Sequence, residues 1–187
     1  KYVVTLIANP RQGCSDTLKK VFYIYPDLNV SFLREPDKCL RKNEYYFQNS
    51  SKHHTSAVFN WNFGNKATPP SSSQYNPPKT TFNAPGYFQV KLWAKQFSCT
   101  DSMIDTIRIF DKPYAKINNL PQSLCDPALI GFSNGSSSEL PIVHHWKFSN
   151  GKTYDGFEPL VEFSPAGVYG ATLIVTTSSL CTDTSMA

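Results

Sequence analysis

One seven-residue pattern recurs along the chain and limits what it can fold into. The first copy is FNWNFGN at residues 59–65, and the second is HHWKFSN at residues 144–150. Alternate side chains of a β-strand share a face, so Phe59, Trp61 and Phe63 point one way while the asparagines between them point the other. The Gly and Asn that follow tolerate the positive φ angles of a tight turn. Each copy therefore predicts an amphipathic strand with a central tryptophan, followed by a reversal of the chain.

Further patterns recur in step with this one and divide the 187 residues into three units. A strand with apolar residues at every second position occurs at residues 2–6, 88–92 and 169–173, and each copy leads to a Cys-x-Asp sequence. The units are unit 1 (residues 1–26), unit 2 (27–111) and unit 3 (112–187). Unit 2 is predicted to be a complete domain, unit 1 the C-terminal end of a truncated repeat, and unit 3 a domain that lacks its last strand.

Composition and turn spacing indicate strands rather than helices. The chain has 14 prolines and a 14% aromatic fraction, and no long stretch has a helical period. Strands are predicted in unit 2 at residues 28–33, 44–49, 57–63, 79–82, 87–95 and 102–110, with a further short strand in the Ser/Pro-rich segment 67–78. Six or seven short antiparallel strands in about 85 residues fit a two-sheet sandwich of immunoglobulin type. The predicted fold class is all-β, with tandem immunoglobulin-like β-sandwiches.

Charge and hydropathy exclude two classes of partner. The net charge is +4, and the 18 Lys and Arg residues are scattered without a basic block, so nucleic-acid binding is not expected. No apolar run approaches 18 residues, so direct membrane insertion is not expected either. The chain opens in mid-strand and stops abruptly, which we interpret as a piece of a longer protein. Short proline-containing junctions at residues 25–27 and 111–113 favour an extended rod of domains.

The repeated motifs resemble those of the polycystic kidney disease (PKD) domain, an immunoglobulin-like β-sandwich. The family signature is a WDFGDG strand and turn, followed by a PGxYxVxL strand. WNFGNK at residues 61–66 and WKFSNG at 146–151 resemble the first part, and PGYFQVKL at 85–92 resembles the second. This chain has Asn or Lys where the family has Asp, so no calcium site is carried over. The resemblance implies a core signature formed by Trp61, Phe63, Gly86, Trp146, Phe148 and Gly167.

The chain is similar to the tandem PKD repeats of very large secreted surface proteins of Bacteroidota, including gliding-motility adhesins. This resemblance implies a non-catalytic stalk segment that is secreted or exposed on the cell surface and needs no cofactor. Its implied partners are neighbouring repeats of the same chain, together with surface polysaccharide or other cell-surface proteins. The alternative is a carbohydrate-binding or spacer module of an exported multidomain hydrolase. A weaker alternative is a filament subunit that assembles by strand exchange.

The five cysteines occupy two kinds of position in the repeat. Cys39 and Cys125 are early cysteines of their units, and Cys14, Cys99 and Cys181 are late ones. Pairing within each unit predicts Cys39–Cys99 and Cys125–Cys181 disulfides, with Cys14 bonded to a cysteine upstream of Lys1. Free core cysteines are an open alternative, and metal binding is a weaker one because no Cys-x-x-Cys spacing occurs. Disulfides would imply an oxidising, extracellular compartment.

Three patterns that could suggest catalysis or ligand binding have simpler interpretations. GFSNG at residues 131–135 matches a nucleophile elbow, but no helix is predicted after it and unit 2 has no serine at the matching position. The His53-His54 and His144-His145 pairs place neighbouring side chains on opposite faces of a strand, which does not suit a metal clamp. Loop aromatics such as Tyr75, Tyr154 and Phe157 could stack on sugars, but packing is the favoured interpretation. No catalytic or metal-binding residue is predicted.

The resemblance to exported Bacteroidota proteins also implies O-glycosylation. Those proteins resemble one another in carrying O-glycans on Asp-(Ser/Thr)-apolar tripeptides. Three such tripeptides begin at Asp16, Asp101 and Asp105, and the first two occupy equivalent positions of the repeat. The implied glycosylation sites are Thr17, Ser102 and Thr106.

Overall fold

The chain is a succession of β-strands. The structure, a computed structural model, describes residues 1–8, 13, 15–118, 120 and 124–187. Within these ranges, no helix is long and apolar enough to cross a membrane. Unit 1 contributes one antiparallel hairpin, formed by β1 (Tyr2–Ala8) and β2 (Asp16–Phe22).

Unit 2 is a sandwich of one five-stranded sheet and a second layer of short strand pairs. Its strands are β3 Phe32–Leu33, β4 Lys38–Cys39, β5 Gln48–Asn49, β6 Val58–Asn62, β7 Ala67–Thr68, β8 Ser71–Ser72, β9 Thr81–Phe82, β10 Gly86–Gln96 and β11 Cys99–Phe110. The larger sheet has the order β4-β11-β10-β6-β8, in which only the β4–β11 pair is parallel. Opposite it, β3 pairs with β5 and β7 pairs with β9. The short strands of the Ser/Pro-rich segment, β7 and β8, lie where an additional strand is predicted.

Unit 3 repeats this architecture. Its strands are β12 Ala128–Gly131, β13 Ile142–Phe148, β14 Thr153–Asp155, β15 Leu160–Phe163, β16 Ala171–Thr177 and β17 Thr182–Met186. One sheet has the order β14-β13-β16-β17, and β12 pairs with β15 in the other. The bridges Tyr114↔Ser137 and Ile117↔Asn134 lie 85 positions after the Asn29↔Lys52 and Phe32↔Asn49 pairs of unit 2. The predicted fold class, all-β with tandem immunoglobulin-like sandwiches, is confirmed.

Each sandwich has its own hydrophobic core. The core of unit 2 is rich in aromatic rings: Trp61 lies 5.2 Å from Phe32 and 5.9 Å from Phe47, measured between ring centroids. In unit 3, Phe132 packs in the same way against Trp146, at 5.6 Å. The first core draws on residues 30–109 and the second on residues 115–175. The boundaries placed at 26/27 and 111/112 stay predictions, and each core falls within one predicted unit.

The hairpin of unit 1 has the pattern of a buried hairpin but is exposed to solvent. Val4 and Leu6 of β1 correspond to Val90 and Leu92 of β10, which are fully buried in unit 2. In unit 1 the same positions are 54% and 64% exposed. Burial of this apolar face therefore depends on an opposing sheet, which the described part of unit 1 does not contain.

The prediction that unit 3 lacks its last strand is wrong. Strand β17 begins at Thr182, directly after Cys181, and β11 of unit 2 begins at the equivalent cysteine, Cys99. It pairs with β16 from Thr182↔Thr176 to Met186↔Thr172. Five residues suffice for an antiparallel ladder, so the Cys-x-Asp sequence starts a strand in unit 3 as it does in unit 2.

The predicted Cys39–Cys99 disulfide is also wrong. Cys39 ends β4 and lies opposite Phe110, the last residue of β11, whereas Cys99 is the first residue of that 12-residue strand. A rise of about 3.3 Å per residue separates the two ends of β11 by roughly 36 Å. A disulfide requires Cα atoms within about 7 Å of each other. Cys99 is exposed and unbonded in the structure.

The predicted Cys125–Cys181 disulfide fails for the same reason. The neighbours of Cys125 border a groove lined by Phe163 and Tyr169, which precede β16. Cys181 lies beyond the other end of β16, where its backbone N–H donates to the Thr177 hydroxyl at 3.0 Å. The seven residues of β16 therefore separate the two cysteines by about 20 Å. Cys125 is exposed and unbonded, and the prediction for Cys14 lies outside the described residues.

Candidate functional site: the junction between two sandwiches

The chain passes from unit 2 to unit 3 with almost no free linker. Strand β11 ends at Phe110, and Tyr114 already exchanges two backbone hydrogen bonds with Ser137, at 2.8 and 2.9 Å. Only residues 111–113 lie between, and Pro113, which is buried, fixes its own φ angle. The covalent path between the two sandwiches is therefore short and stiff.

A disulfide joins the two units beside this linker. Cys39 of unit 2 is bonded to Cys181 of unit 3 across a sequence separation of 142 residues, with the Cα atoms 5.5 Å apart. The parallel pairing of β4 with the end of β11 places Cys39 at the edge of unit 2 that faces unit 3. The turn between β16 and β17 places Cys181 against it, and Cys181 is only 1% exposed. The bond therefore runs between domains, not within one.

Two ion pairs flank the disulfide. The Arg108 guanidinium donates to the Glu139 carboxylate at 2.8 Å and lies over the rings of Tyr87 and Phe110, with centroid distances of 5.2 and 4.6 Å. Lys112 of the linker pairs with the Asp183 carboxylate at 3.1 Å. The Glu139 and Lys112 side chains are 70% and 54% exposed, and exposed pairs contribute about 0–1 kcal/mol each. The disulfide is therefore the main restraint at the junction.

The recurring aspartates tie the first residues of each unit to its last strand. The Asp101 carboxylate accepts the Val30 backbone N–H at 2.8 Å, and the equivalent Asp183 accepts the Ala115 N–H at 3.0 Å. Asp101 also accepts the adjacent Ser102 N–H at 2.8 Å, a local contact at the start of the strand. The long-range contact was missed because nothing in the spacing shows which N–H lies across the sandwich.

Hydrogen bonds favour the ionised form of the Asp183 carboxyl although the side chain is partly buried. Burial works to raise the pKa of the carboxyl, but hydrogen bonds from the Ala115 N–H and Lys112 outweigh it and hold the pKa below its ordinary value. A carboxyl with a lowered pKa in the folded state stabilises the fold above its unfolded pKa, and that stability is lost as pH falls through the folded value. Asp183 therefore stabilises the first residues of unit 3, around Ala115, at neutral pH.

Replacing Asp183 with alanine is expected to lower the free energy of unfolding of unit 3 by about 1.5–3 kcal/mol, the usual worth of hydrogen bonds to a charged group. The change leaves the N–H of Ala115, a residue only 7% exposed, without its acceptor. Urea unfolding at pH 7 measures the effect. Asp16→Ala is the matched control, because the equivalent Asp16 is exposed and accepts the adjacent Thr17 N–H. Equal losses in both variants would contradict the cross-sandwich role.

Comparisons with known proteins assign no function to the chain. No family model matches the chain, and no curated protein matches it by sequence. Among solved structures, one of Clostridium thermocellum CbhA fibronectin(III)-like modules matches with 11% identity, over 98% of this chain and 91% of that chain. Its TM-score is 0.39. The functional assignment therefore rests on the junction itself.

The residues of the predicted core signature lie inside the two sandwiches or in their turns. Trp61 is 1% exposed, and its indole N–H donates to the Gln74 carbonyl at 3.0 Å. Trp146 is fully buried and donates to the Gly156 carbonyl at 3.1 Å. Phe63 and Phe148 are buried beside them, Gly86 has a φ of +129°, and Gly167 is exposed in the turn before β16. Neither indole faces a groove, so both serve packing.

The side chains that suggested catalysis or metal binding are engaged in structural contacts. The Ser133 hydroxyl donates to the Glu158 carboxylate at 3.0 Å and accepts from Asn118, and no histidine is among these partners. His53 contacts the His54 carbonyl through its Nδ1, at 2.8 Å. Across the described ranges, no group of three or more His, Cys, Asp or Glu side chains is placed to hold a metal ion.

The surroundings of His144 in unit 3 favour its neutral form. Burial lowers the pKa of its imidazole, and its Nε2 is buried with no hydrogen-bond partner in the described structure. The ring packs edge-on against Phe157 at 5.3 Å between centroids. In the repeat this position corresponds to Phe59, so the structure uses the histidine largely as an aromatic packing residue.

Acidification from pH 7 to pH 5 is therefore expected to destabilise unit 3 through His144. Below the ordinary value of 6.5 the unfolded imidazole binds a proton that the folded one resists, so stability rises with pH in this window. His144→Phe, which installs the unit 2 residue, should reduce the loss. Urea unfolding at both pH values tests this, and an unchanged pH dependence in the variant would contradict the assignment.

The loop aromatics pack against their own sandwiches. Tyr75, which is 44% exposed, lies edge-on to Phe59 at 5.2 Å and beside His53 at 5.4 Å. Phe157 covers His144, and Tyr154 lies on β14 at the edge of its sheet. No two of these three rings are stacked side by side to form a platform for a sugar. These contacts favour the packing interpretation.

The three implied glycosylation sites are accessible. Thr17, Ser102 and Thr106 are all exposed, and each lies in the second strand of a hairpin. The adjacent aspartates each accept the N–H of the hydroxyl-bearing residue, at 2.7–2.8 Å. The hydroxyls could be modified without disturbing either core, and glycosylation stays a prediction.

Proposed function

We propose that this chain is a non-catalytic, force-bearing stalk segment of a large secreted or cell-surface adhesin built from PKD-like repeats. The observation that carries the proposal is the Cys39–Cys181 bond, which joins consecutive sandwiches. Such bonds persist in oxidising compartments, which supports an extracellular location. Its direct partners would be neighbouring repeats, and a distal element of the adhesin would meet surface polysaccharide or other cell-surface proteins.

The disulfide determines how tension crosses the segment. Force applied before Cys39 and after Cys181 follows the covalent path through the two sulfur atoms. Most of both cores lies in the 142-residue loop that this path bypasses. Tension would therefore load the junction without pulling the sandwiches apart. The short linker and the Arg108–Glu139 pair would keep the two sandwiches in a constant orientation.

Backbone relaxation measured by NMR tests the rigidity that a stalk requires. Units 2 and 3 of the oxidised chain are expected to tumble as one body, with a common rotational correlation time. Cys39→Ser should let the two units reorient separately, while Cys99→Ser, which removes an unbonded cysteine, should not. Separate tumbling in the oxidised chain would overturn the proposal.

A glycan array addresses the competing function, a carbohydrate-binding module of an exported hydrolase. A stalk segment is expected to bind none of the displayed sugars. Binding that is abolished by Tyr75→Ala or Tyr154→Ala, which truncate two of the exposed aromatic rings, would favour the carbohydrate-binding function instead.

A further inference from the structure

The one disulfide in the described chain defines a pairing of repeat positions that can be applied to the other junctions. It joins the early cysteine of unit 2, Cys39, to the late cysteine of the next unit, Cys181. Two more cysteines occupy the same two positions of the repeat: Cys99 is the late cysteine of unit 2, and Cys125 is the early cysteine of unit 3. Both are exposed and unbonded. If the other junctions use the same pairing, each of these two cysteines has a defined partner in an adjoining unit.

The end of unit 2 that carries Cys99 faces the preceding segment of the chain. The Tyr25 ring stacks on Phe97 with 3.7 Å between centroids, and the Gln96 side-chain amide donates to the Pro26 carbonyl at 2.7 Å. Cys99 follows these residues directly. Cys181 faces unit 2 in the same way, because it lies at the turn after β16, at the end of unit 3 that is next to unit 2. Cys99 is thus presented toward whatever unit precedes unit 2.

The two late cysteines also share their local structure. Each follows a turn that contains a residue with positive φ: Phe97, at 51°, lies two positions before Cys99, and Leu180, at 62°, lies directly before Cys181. Each precedes an aspartate that ties the last strand to the first residues of its own unit. Cys99 therefore follows the same kind of strand-connecting turn and precedes the same aspartate contact as Cys181, but Cys99 is exposed and Cys181 is buried.

Cys125 lies at the opposite end of unit 3 from the bonded Cys181. Its neighbours Leu124 and Asp126 border the groove before β16, and Ala128 pairs with Phe163. Cys39 lies in the same way at the end of unit 2 away from Cys99. An early cysteine is thus presented to the unit that follows it.

We propose that Cys99 and Cys125 are attachment sites for inter-unit disulfides. Cys99 would bond to the early cysteine of a preceding repeat of the same kind, and Cys125 to the late cysteine of a following one. Each unit would then be joined to both neighbours, and the array would be a covalent ladder with one disulfide at every junction. This extends the proposed stalk function without resting on it, because the pairing rule comes from the repeat and the Cys39–Cys181 bond alone.

The bond-forming chemistry is thiol–disulfide exchange. The Cys125 thiolate attacks a small-molecule disulfide such as oxidised glutathione, forms a mixed disulfide and releases one glutathione thiolate. The late cysteine of the following unit then attacks the Cys125 sulfur and releases the second glutathione. Two protein thiols are oxidised, one glutathione disulfide is reduced to two thiols, and the two protons of the protein thiols end on the glutathione pair.

An extended chain tests the proposal directly. Ala187 corresponds to Asp105 in the Cys-x-Asp register, so residues 1–187 are followed by a second copy of residues 106–187 that carries Cys125→Ser. The chain is refolded in a glutathione redox buffer, alkylated, and digested with trypsin without reduction. The two Cys181 peptides differ in mass, because only the first continues into the added sequence.

Mass spectrometry is expected to find Cys39 linked to the first Cys181, and Cys125 of unit 3 linked to Cys181 of the added copy. The first linkage shows that the known junction has folded. In a matched chain with Cys125→Ser in unit 3 as well, Cys181 of the added copy should be alkylated. The proposal is overturned if Cys125 is alkylated, or if it is linked to Cys181 of its own unit.

Discussion

Reducing the Cys39–Cys181 disulfide is expected to add roughly 500 Å to the length of chain that can be extracted when the molecule is pulled from its two ends. This length follows from the sequence separation of 142 residues between the two cysteines, each residue contributing about 3.5 Å when extended. With the bond intact, only the segments before Cys39 and after Cys181 can extend. Single-molecule force spectroscopy in oxidising and reducing buffer measures the difference.

Two substitutions make this result specific. Cys39→Ser should give the long extension even in oxidising buffer, because it removes the bond itself. Cys99→Ser should behave as the unmodified chain, because Cys99 is exposed and unbonded in an isolated molecule. A long extension in the oxidised, unsubstituted chain would mean that tension unfolds both sandwiches, and the proposed force path would be wrong.

Trp61→Ala is expected to lower the free energy of unfolding of unit 2 by about 3–5 kcal/mol, the typical cost of truncating a buried tryptophan. Trp61 is 1% exposed and packs among Phe32, Phe47 and Phe63, with centroids 5.2–5.9 Å away. Its removal leaves a cavity between the two sheets and also removes the donor that satisfies the Gln74 carbonyl. Urea unfolding followed by fluorescence and circular dichroism measures the loss.

Tyr46→Ala is the matched control, since Tyr46 is an aromatic residue of the same unit that is 59% exposed. Its truncation should change stability by no more than about 0.5 kcal/mol, as is usual for surface positions. Unit 3 should unfold as before in both variants, because its core shares no residue with that of unit 2. If Trp61→Ala left stability unchanged, the assignment of this position to the core would be wrong.

The strand pattern and fold class were predictable because they follow from local chemistry. Burial along β6 alternates strictly, with Phe59 and Trp61 buried and Asn60 exposed, as a period of two requires. The strand predicted at residues 87–95 is observed as β10, Gly86–Gln96. The shortest strands, such as β4 and β7, have only two residues, too few to leave a periodic signal.

Of the candidate site, only the residue types and their equivalent positions in the repeat were predictable. The sequence identified the cysteines and the recurring aspartates as equivalent positions, but it could not show their partners. Asp183 accepts an N–H from Ala115, 68 residues away, and that contact depends on which strands face each other. The register of contacts across a sandwich is set by sheet packing, which leaves no fixed spacing in the sequence.

The sequence by itself determined that this chain is a series of β-sandwiches with one early and one late cysteine in the repeat. Only the tertiary structure decided which cysteines meet. The two cysteines of unit 2 lie at opposite ends of the 12-residue strand β11, too far apart for a disulfide. Stacking the next sandwich end to end brings Cys181 beside Cys39. Because β11 is long and extended, the disulfide that was predicted within one domain forms between two domains instead.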